Sequence, residues 1–331
     1  MMDDYDKEFS NGDIYMRLEI PVYLITGFLE SGKTSFIQET ISDPEFSAGE
    51  RTLLICCEEG EVEYDMKLLK DNKVSLVTIE DSEQLTERFL KECHAKYRPQ
   101  RVMIEYNGTW DFDLIFDLAV PKGWITAQII TTVNAETFDV YMNNMRSMMA
   151  NQMVNSDLII FNRCDENTKK NALRRSIKVL NRRAQIVYEG KDGMIMNNDE
   201  EEELPFDINA EVIDIVDDDY GLWYIDASDN PSKYDGKTVK IKGMVFRPPG
   251  MPKTVFVPGR YAMTCCADDM AFVGFICNYE FADKLNQKEW VNVTAKVKCE
   301  YHPGYQAEGP VLYVDEVEKT SEPEEPIVYF N

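Results

Sequence analysis

The stretch Gly27-Phe-Leu-Glu-Ser-Gly32-Lys33-Thr34 constrains the fold more than any other part of the chain. It follows the apolar run Pro21–Ile25, precedes a helical pattern and fits G-x-x-x-x-G-K-[ST]. Glycines in such a loop let backbone N–H groups curl round a phosphate. Lys33 can reach the terminal phosphate oxygens, and the Thr34 hydroxyl can hold Mg²⁺. The start of the following helix adds partial positive charge.

The surrounding pattern agrees. Strands are expected at Glu19–Ile25, Thr52–Cys56, Ser75–Thr78, Arg101–Glu105, Ala127–Val133 and Leu158–Phe161. Helices are expected between them, at Lys33–Thr40, Ser82–Lys96, Asp111–Asp117, Ala135–Gln152 and Lys169–Asn181. This alternation predicts βαβ units and a mostly parallel sheet, an α/β fold of the P-loop NTPase type. At 331 residues, 44% of them hydrophobic, the chain has material for about two domains.

Beyond an acidic segment carrying DEEEE and DIVDDD, the pattern changes. Lys237–Phe246, Thr254–Thr264, Phe272–Asn278, Trp290–Glu300 and Pro310–Glu318 read as five strands. With a short helix at Glu280–Gln287 they lay out a small all-β domain, an OB-type barrel. The expected organisation is a flexible N-terminus (1–17), a nucleotide-binding domain (18–195), an acidic linker (196–219), the barrel (220–318) and a flexible tail (319–331).

Three further elements point to chemistry. Strand Leu158–Phe161 runs into Asn162-Arg163-Cys-Asp165, close to the N-K-x-D element of guanine-nucleotide proteins. A carboxylate at Asp165 can accept from the guanine ring N–H and its exocyclic amino group, a pair adenine lacks. Arg163 offers a stem and a flat guanidinium to cover the base; the other reading of Asp165 is a helix cap. Val102-Met-Ile-Glu105-Tyr-Asn-Gly108 is an apolar strand ending in a carboxylate that can hold a Mg²⁺ shell or orient water. Cys57-Glu58-Glu59-Gly60-Glu61-Val62-Glu63-Tyr64-Asp65 supplies switch or metal candidates, or a solvated acidic loop.

Taken together, residues 20 to about 186 resemble the P-loop GTPases of the CobW/HypB/UreG family, in particular its CobW-type metallochaperones. GFLESGKT resembles that family's phosphate loop, CEEGEVEYD its N-E-x-G-E-x-x-x-D segment with Cys57 in place of Asn, and IEYNG its I-E-x-x-G segment. QMVNSDLIIFNRCD resembles its Q-x-x-x-A-D-x-x-x-x-N-K-x-D segment. The resemblance implies GTP and Mg²⁺ as ligands. It also implies slow intrinsic hydrolysis, a protein client or metal-transport partner, and a GTP-dependent dimer. The nucleotide-binding candidates are Gly27, Glu30, Ser31, Gly32, Lys33, Thr34, Ser35, Gly108, Asn162, Arg163 and Asp165. Lys33 and Glu105 are the catalytic ones, with Thr34 and Glu105 at Mg²⁺. Two features depart from the family. Its C-x-C-C metal motif is missing, with no cysteine from Val74 to Leu90, and its usual C-terminal domain is replaced. Residues 220–318 instead resemble the small C-terminal domain of YcgQ-type bacterial membrane proteins, through DGKTVKIKGMVFR, RYAMTCCADD and WVNVTAKV.

Charge excludes other classes. With 35 Lys and Arg against 60 Asp and Glu, a net charge of −25 disfavours nucleic acid and anionic membranes. The acidic start lacks an apolar core for a signal peptide, and no run of about 18 apolar residues occurs, so a cytoplasmic protein is expected. The eight cysteines form no C-x-x-C pair. Zinc or another thiophilic divalent ion has two candidate sites. One is Cys57 with Glu58; the other joins Cys265, Cys266, Cys299 and His302 in the barrel. The alternative for each is buried apolar packing. Met142, Met145, Met148, Met149 and Met153 read as one packed helix face. The residues thus predict a Mg²⁺-dependent GTPase, and the resemblance implies a task in metal delivery or on a metal-linked partner. The rivals are a non-catalytic GTP-dependent scaffold or sensor and a P-loop small-molecule kinase.

Overall fold

The computed structural model describes residues 19–58, 60, 62–196, 204–263 and 270–328. The chain divides into two compact units, one with residues 19–26 and 33–129, the other with 27–32 and 130–328.

The first unit contains β1 (Ile20–Thr26), α1 (Lys33–Ser42), α2 (Pro44–Ser47), β2 (Thr52–Cys56), α3 (Met66–Asp71), β3 (Val74–Thr78), α4 (Glu87–Tyr97), β4 (Arg101–Glu105), α5 (Asp113–Phe116) and the start of β5 (Trp124–Asn134). Its strands run in the order β3-β2-β4-β1-β5. β1 with β4, β4 with β2 and β2 with β3 are all parallel. Every residue of β2 and β4 is buried, which is why Leu53–Cys56 and Val102–Ile104 read as unbroken apolar stretches in the sequence. The parallel alignment sets the ends of β2 and β4 side by side, with Cys56 opposite Glu105.

The second unit takes the loop 27–32 and the end of β5. It continues through α6 (Phe138–Asn144), α7 (Arg146–Val154), β6 (Leu158–Cys164), α8 (Lys170–Leu180), β7 (Gln185–Gly190) and β8 (Ile195–Met196). Here the order is β5-β6-β7-β8, parallel except for the β7–β8 hairpin. The single helix expected over Ala135–Gln152 breaks at Met145, where the backbone leaves helical geometry after two poor helix formers, Asn143 and Asn144. Asn144 bonds back to the Val140 carbonyl. The expected single packed face of methionines holds only in part: Met142, Met149 and Met153 are buried in an aromatic and aliphatic cluster with Phe138 and Phe161, Met148 packs against it partly buried, and Met145, at the break, is exposed.

The remainder of that unit is the barrel: β9 (Ile213–Asp214), α9 (Tyr220–Asp229), α10 (Pro231–Tyr234), β10 (Thr238–Phe246), β11 (Val255–Met263), β12 (Met270–Gly274), β13 (Ile276–Asn278), β14 (Trp290–His302), β15 (Ala307–Lys319) and β16 (Ile327–Val328). Pairing closes a ring: β10 with β11, β11 with β13, β13 with β15, β15 with β14 and β14 with β10. Only β13 with β15 is parallel within that ring. The barrel is therefore five-stranded, as the sequence pattern predicts. Differences lie at its margins. The expected Phe272–Asn278 strand splits at Phe275, whose buried ring meets Trp223 of α9 edge-on at 5.2 Å. The expected helix at Glu280–Gln287 is a single 3₁₀ turn, Ala282–Lys284. The acidic segment holds β9 and places Ile213 and Ile215 in the barrel core, and the tail carries β16 against β11. No helix among the described residues is long and apolar enough to cross a membrane.

Candidate functional site

The loop Gly27–Gly32 is shaped by close backbone approaches. At Gly27 (φ +138°) a Cβ would lie 2.4 Å from the Thr132 carbonyl oxygen; at Gly32 (φ +94°) it would lie 2.5 Å from Asn162 Nδ2. No other residue fits either position. Ser31 Oγ is spent on Thr132 Oγ1 at 2.8 Å, and Asn162 Nδ2 donates to the Ser31 carbonyl at 2.7 Å. Asn162 thus braces the loop from the end of β6. Its buried Oδ1 has no partner among the described residues, an acceptor open to a ligand N–H.

Arg163 (φ +57°) turns the chain and donates Nη1 to the Glu30 carbonyl at 3.1 Å. Asp165 does not cap α8, whose N-cap is Lys169. Its Oδ1 accepts from Asn167 N at 2.9 Å and Thr168 Oγ1 at 3.2 Å, a turn that steadies the carboxylate. Asp165 and Arg163 line a cleft of about 510 Å³ with Glu136, Asp139, Arg146 and Lys169.

In the first unit, Lys33 opens α1 with its side chain only 3% exposed, and Nζ lies 2.5 Å from the Glu58 carboxylate. Thr34 Oγ1 donates to Glu105 Oε1 at 2.7 Å. Glu105 Oε2 accepts from Tyr64 Oη at 2.5 Å and from the Cys56 thiol at 3.2 Å. The carboxylate, 3% exposed, is thus held by three neutral donors. Burial, then the Glu105 charge, pushes the Tyr64 hydroxyl well up, so it stays protonated and donating. Ser35 is exposed on α1, and Gly108 is buried beyond the end of β4. The sequence offers Cys56 beside Cys57 and Glu58 and places Tyr64 in the acidic switch segment, but it does not show that both meet Glu105; the register of β2 and β4 brings Cys56 there, and the turn before α3 brings Tyr64.

The donor set tests which metal fits. A hydroxyl and a carboxylate oxygen 2.7 Å apart are hard ligands that suit Mg²⁺. Thiophilic metal fares differently. Cys57 packs in an apolar cluster with Ile55, Ile79 and Tyr106, burial pushes its thiol well up, and Glu58 is engaged by Lys33. In the barrel, β14 runs without a break to His302, so Cys299 and His302, three residues apart, point to opposite faces. This corrects the reading of them as joint ligands. His302 Nδ1 instead accepts from the Gly304 N–H, and the Cys299 N–H donates to Asp235. Cys265 and Cys266 lie outside the described residues. Among those described, no group of three His, Cys, Asp or Glu side chains is placed to hold an ion.

The Cys56 thiol is pushed from its ordinary 9.0 up to about 12, by burial first and Glu105 next. A pKa raised only in the folded chain gives stability that is complete below pH 9 and is lost as pH rises toward 12. Urea midpoints should therefore fall across that window, and less steeply in Cys56→Ser, whose hydroxyl does not ionise there. Identical slopes for both proteins would contradict this account.

The chain is similar to known proteins in both of its halves. Residues 192–330 match the DUF1980 C-terminal domain. The chain is 20% identical over 117 residues to the UPF0703 protein YcgQ of Bacillus subtilis (strain 168), covering 35% of this chain and 41% of that protein, so it spans less than half of that relative's length. Among solved structures it is similar to the hydrogenase maturation factor HypB from Archaeoglobus fulgidus, at 18% identity over 53% of this chain and 83% of that one, TM-score 0.39. It is also similar to the Zn(II)-bound YjiA GTPase from E. coli, at 15% identity over 80% and 96%, TM-score 0.41. The CobW/HypB/UreG nucleotide-binding domain matches residues 21–188, half of the chain. With the phosphate loop, Thr34 and Glu105 in place, the chain belongs to the CobW/HypB/UreG family of P-loop GTPases.

Proposed function

We propose that this protein binds GTP and hydrolyses it with Mg²⁺, gating a metal-linked partner in metal homeostasis. The observation that carries the hydrolytic reading is the Thr34–Glu105 pair directly after the phosphate loop. Thr34 and Glu105 are the residues to hold Mg²⁺, which when bound neutralises charge on the phosphate oxygens. Lys33 supplies a fixed cation for the transferring phosphoryl group, and Glu105 orders the metal shell or the attacking water. Asp165 and Asn162 select the base. A kinase would have no use for that pair.

Regulation of a partner is favoured over direct carriage of a thiophilic metal. The C-x-C-C motif is absent, Cys57 is packed in the core, and Cys299 and His302 diverge. The test is GTP turnover measured with Mg²⁺ alone and with stoichiometric Zn²⁺, Co²⁺, Ni²⁺ or Fe²⁺ added. Turnover that requires Mg²⁺ is the expected result, and GTP binding without any turnover would leave the scaffold reading in its place.

A further inference from the structure

The Glu105 carboxylate has two partners that neither the phosphate loop nor the family motifs account for, the Cys56 thiol and the Tyr64 hydroxyl, of which Tyr64 is the stronger donor. Tyr64 stands just before α3, and its placement is rigid. Asp65 caps α3 by accepting from Lys67 N and Leu68 N, and the Asp65 N–H donates to Gln38 on α1. Tyr64 packs, partly buried, against the cluster that contains Ile37, Ile41 and Leu69. A ring seated there could leave its hydroxyl in water; instead the hydroxyl closes on Glu105 Oε2.

We propose that Tyr64 is a positioning residue for GTP hydrolysis, fixing Glu105 so that Oε1 faces Thr34. The proposal rests on the reading of Glu105 as the carboxylate that orders Mg²⁺ or water. A carboxylate has two equivalent oxygens and can turn about its terminal bond, which has broad, weak preferences. Thr34 alone fixes one oxygen. Tyr64 fixes the other, so the carboxylate plane is defined before any ligand arrives. The remaining contact to Oε2 is the Cys56 thiol, a weak donor also directed at the Glu58 carbonyl at 3.0 Å. Without the tyrosine hydroxyl the carboxylate loses its stronger anchor. Positioning errors of this kind lower the rate of the chemical step and leave ground-state binding nearly unchanged.

The test is a double-mutant cycle on the full chain, with kcat and KM for GTP measured at saturating Mg²⁺. Tyr64→Phe keeps the ring in its apolar seat and removes only the hydroxyl. We expect its kcat to fall about tenfold with KM within twofold, and Glu105→Gln to fall further. In the Glu105→Gln background, Tyr64→Phe should cost nothing more, because its target is gone. Losses that multiply in the double variant, a Tyr64→Phe kcat equal to that of the unmodified chain, or an effect confined to KM would each overturn the proposal. Absence of turnover in the unmodified chain has a different signature: it removes the hydrolytic reading itself.

Discussion

Lys33→Ala should abolish GTP turnover and weaken GTP binding at least a hundredfold. A lysine cation in a buried phosphate loop meets charge that water cannot screen, so its loss is felt in both binding and the transition state. A second effect must be separated from the first. Lys33 is the ion-pair partner of Glu58, whose side chain is only 10% exposed. Removing one member of such a pair leaves a carboxylate without its counter-ion, at a cost of about 3 kcal/mol in stability. Lys33→Ala should therefore melt earlier, and Glu58→Gln added to it should restore most of the loss. Turnover should stay absent in that double variant, which shows that the lost activity is not lost folding. Normal turnover in Lys33→Ala would place the chemistry elsewhere.

The base preference should be equally sharp. Asp165→Asn should weaken GTP by about a hundredfold or more and favour xanthosine triphosphate, whose 2-oxo group needs a donor. The structure makes this substitution clean. Asp165 Oδ1 accepts from Asn167 and Thr168, and an asparagine oxygen can accept the same two bonds. The turn survives while the other carboxylate oxygen becomes an amide. Equal affinity for ATP and GTP in the unmodified protein would sink the assignment.

The parts of the fold visible in the sequence are those with local causes. β2 and β4 are visible through their apolar stretches Leu53–Cys56 and Val102–Ile104, because strands buried on both faces leave no polar interruption between their ends. The loop Gly27–Thr34 is visible because its backbone admits few sequences. Long-range placement is not. That Cys56 lies opposite Glu105, or that Tyr64 returns to the same carboxylate, depends on strand order, which no spacing encodes. Helix α9 was hidden for another reason. Tyr220, Trp223, Tyr224 and Ile225 are all buried, so the segment lacks an amphipathic period, and the acidic run before it reads as solvent-facing. Cys299 and His302 mislead because C-x-x-H spacing suits a turn or helix, whereas β14 stays extended through both.

That acidic run has one more consequence, for where the barrel can be cut or fused. Arg260 on β11 is 1% exposed, and its guanidinium donates to the Lys242 carbonyl and to both the carbonyl and the carboxylate of Asp217. Asp217 also pairs with Lys242 at 2.9 Å, and these hydrogen bonds hold its carboxyl below the usual range against the upward pull of burial. A fragment starting at Tyr220 would strand that guanidinium in the interior and strip Ile213 and Ile215 from the barrel core. Recombination between genes can exchange such a module only at a breakpoint upstream of Ile213, since the counter-charge of the barrel is encoded before its first long strand.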